Sequence, residues 1–88
     1  MLFPNTVIRF LGYQENEKNG KTYYSIYFLN EGGGYEKTGF LGDSSILSTL
    51  EKNKKYLADF NVRSVDNSRE NYFYKRLDCL SIEDYIEE

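Results

Sequence analysis

Between Lys21 and Asn30 the chain reads KTYYSIYFLN, and large side chains fill both alternating sets of positions. β-branched and aromatic residues at this density, without helical spacing, make the stretch a β-strand. In a strand Tyr24, Ile26 and Phe28 point to one side, and Tyr23, Ser25, Tyr27 and Leu29 to the other. A strand covered on one face alternates apolar with polar residues. The tyrosine-bearing second face must therefore be covered by protein or used to hold a partner.

Eighty-eight residues suffice for one small domain. Nine Tyr and six Phe bring the aromatic share to 17% with no Trp, which favours broad ring surfaces that stay wet at one end. A single cysteine, Cys79, has no internal disulfide partner, and a chain without histidine has no Cys/His set for zinc. No cofactor is expected. The N-terminal MLFPNTVIRF lacks a basic segment followed by an apolar run, and no apolar stretch is long enough to span a bilayer. These features lead us to expect a cytoplasmic protein with no membrane partner. Cys79 is read as a small core residue.

The net charge of -3 argues against a polyanionic partner, but its distribution weakens the objection. Glu83, Asp84, Glu87 and Glu88 crowd the last six residues, so residues 1–80 carry eleven basic and ten acidic side chains. The division follows: a domain over 1–82 and an acidic tail over 83–88, itself a candidate contact for a protein partner.

In chain order, TVIRFLGYQ (Thr6 to Gln14) reads as the first strand, and Asn19-Gly20 as a tight turn into the second. Gly32-Gly33-Gly34 reads as another hairpin connection. These glycines lead into a strand rather than into Gly-Lys-Ser/Thr and a helix, so they do not read as a phosphate-cradling P-loop. Tyr35 to Leu41 is the third strand, with Thr38 and Phe40 on one side, and Gly39 a site for a bulge or sharp bend. Asp43 or Ser44 caps a short α-helix over Ser45 to Lys52, with Ile46, Leu47 and Leu50 on one face and Asn53 beyond its end. Tyr56 to Val65 is the fourth strand, with Tyr56, Ala58, Phe60 and Val62 inward. Tyr72 to about Ile82 is the fifth; Leu80 and Ile82 are out of phase with Leu77, so a bulge there or a poorly packed end is expected.

Five strands with one short helix between the third and fourth follow the β-β-β-α-β-β order of the OB-fold, a small Greek-key barrel. An open sheet with the helix on one face is the alternative. Bulky residues on both faces of Lys21 to Asn30, and a helix too short to cover a sheet, favour the barrel. In that fold the face around strands two and three, with the loops after strands one and four, binds oligonucleotides or oligosaccharides.

The segments NGKTYYSIYF, KNKKYLADFNVR and KRLDCLSIE resemble strands of small phage- and plasmid-encoded single-stranded DNA-binding proteins of the gene V type. The shared features are a Gly-Lys-x-Tyr lead into a strand, a Tyr-x-x-x-Phe-x-Val strand and a final strand bearing Arg-Leu. The resemblance implies a cooperative, sequence-tolerant binder of single strands, often a homodimer.

The candidate interface follows from base stacking and phosphate neutralisation. Tyr23 and Tyr27 are the primary stacking rings, with Tyr35 and Lys37 beside them if strand three keeps register; a slip by one would put Glu36 there. Arg9, Lys21, Arg63 and Arg76 are the candidate phosphate contacts, with Lys18, Arg69 and Lys75 as further cations. Tyr72 and Tyr74 alternate with Arg76. DNA and RNA are both admissible. Without histidine, and without a pair of acids spaced for a shared pocket, no catalytic site is expected. The competing reading is a protein-interaction module, such as a phage-encoded inhibitor of a host protein, that uses the same tyrosine face and the acidic end and is favoured by the acidic pI of about 5.0.

Overall fold

The Asn19-Gly20 pair closes a two-residue turn with φ of 54° and 76°, the left-handed values that this connection requires. It joins β1 (Leu2–Lys18) to β2 (Lys21–Leu29), with Lys18 facing Lys21. The computed structural model describes the backbone of residues 2–67 and 72–86, and the side chains of 2–62 and 77–86. β3 (Tyr35–Phe40), β4 (Lys55–Asn67) and β5 (Tyr72–Asp84) complete one five-stranded sheet. Its pairings run round a closed ring in the order β1-β2-β3-β5-β4 and back to β1. Only the β3–β5 contact, Gly39 with Asp78 and Phe40 with Cys79, is parallel.

Three register shifts bend this ring. In β1, Phe10 faces Phe28 but Gly12 faces Tyr27, so Leu11 is an extra residue. Because side chains alternate, that insertion turns Ile8 and Phe10 into the core although Gly12 and Gln14, two and four positions on, face outward. A second shift lies between Phe3 and Thr6, where Pro4 brings no N–H and Asn5 takes φ 53°. The third leaves Leu80 unpaired between Cys79 and Ser81, where the phase of Leu80 and Ile82 calls for it. Gly39 is not a bulge; β2 and β3 pair without interruption from Tyr24–Phe40 to Leu29–Tyr35.

Asp59 stands where two of these shifts meet. One carboxylate oxygen accepts from the Asn5 N–H at 2.8 Å, the other from Ser81 Oγ at 3.1 Å. The carboxylate thus ties β1 and β5 to β4 beside their irregularities, occupying polar groups that the interrupted ladder leaves over.

The interior is apolar from every strand: Ile8, Phe10, Ile26, Phe28, Phe40, Tyr56, Ala58, Phe60, Cys79 and Ile82 are buried. Phe28 packs on Phe60 at 5.2 Å, and Phe10 meets Tyr56 edge-on at 6.2 Å. Thr38 Oγ1 is buried and has no hydrogen-bond partner among the described residues. Glu83 and Asp84, read from the sequence as the start of the tail, are the last residues of β5 and pair with Leu57 and Tyr56.

The expected α-helix over Ser45 to Lys52 is corrected to a six-residue 3₁₀ helix, Ser44–Thr49. Ser45 and Thr49 compete with an α-helical ladder by bonding locally, Ser45 Oγ to the Asp43 carboxylate and Thr49 Oγ1 to the Ile46 carbonyl at 2.6 Å. Asp43 caps it as expected, accepting from Ser45 N at 3.0 Å and Ser45 Oγ at 2.7 Å, and these bonds lower the Asp43 pKa. The far end also differs from expectation. Leu50 is already extended, and Asn53 is left-handed but belongs to the following turn. Leu47 is buried, Ile46 and Leu50 pack against the core, and the Tyr56 hydroxyl accepts the Glu51 N–H at 2.7 Å. Among the described residues no helix is long and apolar enough to cross a membrane.

Gly42 allows β3 to turn into this helix. A Cβ there would lie 2.6 Å from the Leu80 carbonyl oxygen and 2.8 Å from a Phe40 ring carbon. Gly42→Ala is therefore expected to cost about 1–3 kcal/mol through overpacking, read from the urea midpoint. Burial pushes the Cys79 thiol up to about 12, with its Sγ donating to the Ser81 carbonyl at 3.4 Å. The folded protein should resist thiol reagents at pH 8 and react on unfolding. An unfolded cysteine ionises near 8.5 whereas the folded one keeps its proton, so this group's contribution to stability falls as pH rises from about 9 towards 12.

Candidate nucleic-acid interface

Paired residues of an antiparallel ladder share a face, so the hairpin register sorts β1 and β2 into two surfaces. One carries Gln14, Asn16 and Lys18 opposite Ser25, Tyr23 and Lys21, and continues to Gly12 and Tyr27. The other carries Tyr13, Glu15 and Glu17 with Thr22 and Tyr24. Both acids of the hairpin fall on the second surface, and both lysines on the first. β3 extends the first surface with Gly39 beside Ser25, Lys37 beside Tyr27 and Tyr35 beside Leu29. On β1, β2 and β3 these rows hold no carboxylate; on β5 the Gly39 row continues to Asp78, which is fully buried.

Tyr27 is the fixed centre of this face. Its hydroxyl donates to Gln14 Oε1, its ring lies 6.1 Å from that of Tyr35 at 32°, and Lys37 Nζ is 5.5 Å from its centroid. A cation over an exposed ring contributes about 0.5–1 kcal/mol, enough to bias Lys37 towards this position. Strand three keeps the register that puts Lys37, not Glu36, on this side. Tyr35 is 63% and Tyr23 49% exposed, while Tyr27 is half-buried by its neighbours. Tyr24, Ile26 and Phe28 pack in or against the core, as the alternation predicts.

The other candidates are less uniformly placed. Lys21 is exposed at the hairpin tip with Lys18. Arg9 sits at the opposite end of the sheet, facing Leu29 and Lys55, and donates to the Asn53 backbone carbonyl, which fastens the loop before β4. Arg63 and Arg76 are paired register positions, as are Asn67 and Tyr72, and Val65 and Tyr74. The side chains of Arg63, Tyr72, Tyr74, Lys75 and Arg76 lie outside the described ones, and Arg69, Glu87 and Glu88 outside the described residues. Since β5 runs parallel to β3, the β4–β5 ribbon leaves the ring towards the Tyr35 end of β3. The β1–β2 ribbon leaves towards its Phe40 end.

Sequence reasoning missed Gln14, Asn16 and the segregation of charge. The signal was present: a two-residue Asn-Gly turn sets Lys18 opposite Lys21, and counting back from it assigns each residue of the ribbon to a face. Asp78, buried between Gly39 and Asn61, was missed too; it is an acid set into an otherwise apolar strand segment. Among the described residues no cluster of acids or cysteine has the arrangement of a metal site.

Because neither ring belongs to the core, Tyr27→Phe and Tyr35→Ala should each stay within about 1 kcal/mol of the parent in chemical denaturation. A loss of several kcal/mol would assign the ring a core role. Compared with models of protein families and with curated proteins, the chain matches none.

Proposed function

We propose that this chain binds single-stranded DNA without sequence preference, by stacking bases on Tyr23, Tyr27 and Tyr35 while Lys18, Lys21 and Lys37 neutralise phosphates. The observation that carries the reading is the β1–β2–β3 face, on which rings and cations stand together with no exposed carboxylate and from which Glu15 and Glu17 are excluded; Asp78, beside Gly39, is buried. Stacking on an aromatic side chain is worth about 1–3 kcal/mol per base and tolerates any base. The ring order β1-β2-β3-β5-β4, with a helical plug between β3 and β4, supports assigning the chain to the OB-fold, whose β2–β3 face is its usual ligand surface. Two ribbons flanking that face, at either end of β3, suit a strand lying across it. The reading carries with it a role in replication or recombination of a phage or mobile element, and assembly as a homodimer. Exposed Leu2 and Phe3 offer apolar surface for a second copy.

Titration with oligo-dT should quench tyrosine fluorescence. Single strands lose about 0.7 in log affinity per decade of salt for each phosphate neutralised, so three lysines give a slope near -2, steeper if the β4–β5 ribbon contributes. Tyr23→Ala with Tyr27→Ala should weaken binding at least tenfold with the fold retained. Absence of quenching at low salt would overturn the reading. A stoichiometric protein partner would then point to the competing interaction module, for which the acidic Glu15–Glu17 face is the natural surface.

A further inference from the structure

The pairing register carries one row of positions around four strands. Tyr35 of β3 faces Leu29 of β2, Leu29 faces Arg9 of β1, and Arg9 faces Lys55 of β4. Over the far half of this row lies a cleft of about 400 Å³, whose walls include Arg9, Leu29, Asn30, Glu31, Lys55 and Tyr85. That volume suits a ligand the size of one nucleotide unit.

The cations of the cleft differ in how they are held. Arg9 spends one N–H on the Asn53 carbonyl, which orients the guanidinium; four of its five donors point elsewhere. Lys54, which does not line the cleft, is engaged by Asp84 at 3.8 Å and by the Tyr56 ring at 5.3 Å. Lys55 is exposed and makes no ion pair among the described residues. An oriented guanidinium, an available ammonium and a half-buried tyrosine ring in one concavity are the groups that a phosphate joined to a flat ring requires.

We infer that this cleft is a second subsite of the nucleic-acid path, receiving the nucleotide that follows the one on Tyr35, with its phosphate on Arg9 and Lys55 and its base against Tyr85. The inference rests on the single-strand reading given above, and it extends the contact surface from β2 and β3 onto β1 and β4. Glu31 opposes the phosphate there, so E31Q should tighten binding.

The test compares K55E with K52E, the same charge change on an exposed lysine that does not line the cleft. Binding of dT12 is followed by fluorescence and by amide shifts in a ¹H–¹⁵N spectrum, which also verifies folding of each variant. K55E should lower affinity about tenfold and flatten the salt slope by about 0.7, with K52E within twofold of the parent. In the parent, dT12 should move the amides of Gly33, Lys55 and Tyr85 together with those of Tyr27 and Tyr35. Equal losses in K55E and K52E would reduce the effect to general charge and overturn the subsite. So would shifts at Tyr27 and Tyr35 with none at Lys55 and Tyr85, an outcome that leaves the single-strand reading standing. No shifts anywhere would overturn both.

Discussion

Everything in this small sheet depends on parity. A strand alternates its side chains strictly, and β1 must serve the outer hairpin face at one end and the core at the other. The single extra residue at Leu11 reconciles the two demands: even-numbered positions from Gly12 to Lys18 face outward, and Ile8 and Phe10 face inward. Without it, either Ile8 and Phe10 would be exposed or Gln14 and Lys18 would point towards the core side. The shifts between Phe3 and Thr6 and at Leu80 do the same for the start of β1 and the end of β5, bringing Ile82 into the core after Cys79. Each bulge also raises local twist, which a ring of only five strands needs in order to close.

The same parity organises electrostatics. A chain with a net charge of -3 presents a hairpin face free of exposed carboxylates because Glu15 and Glu17 alternate with Asn16 and Lys18, and the hairpin register holds them on the opposite side. Tyr27 links this face to the fold: it bonds to Gln14 across the hairpin and packs against Tyr35 across the next pairing.

Polar groups reinforce the places where the ladder fails. Asp59 bridges β1 and β5 beside two bulges, Asn30 closes the glycine turn by accepting from Gly34 N at 2.9 Å, and Tyr56 reaches from the core to the turn after the 3₁₀ helix. The helix is too short to be stable alone and persists because Leu47 is buried beneath it. Its serines explain why the apolar spacing of Ile46, Leu47 and Leu50 misled: that triplet satisfies an α-helix and a 3₁₀ helix equally, and the local hydrogen-bonding of Ser and Thr tips the balance to the shorter form.

Much of the architecture was legible because it rests on local chemistry. Five strands, the Asn19-Gly20 and glycine-rich turns, the Asp43 cap, the inward set on β2 and β4, and the irregularity near Leu80 all follow from alternation and turn preferences over a few residues. Strand ends were drawn too short: β1 runs to Leu2 and Lys18, where residues such as Glu15 and Lys18 have little strand preference and are extended because a partner strand pairs with them. Likewise the sequence alone brought Tyr23, Tyr27, Tyr35 and Lys37 into consideration by residue type. Tyr35 and Lys37 were expected beside Tyr27 through the β2–β3 hairpin, and that register holds; the pairing of β1 with β4 was needed to station Arg9 beside Lys55, and core packing to locate the Leu11 bulge. Pairings between strands distant in the chain are set by the packing of the whole core, and no window of local sequence contains that information.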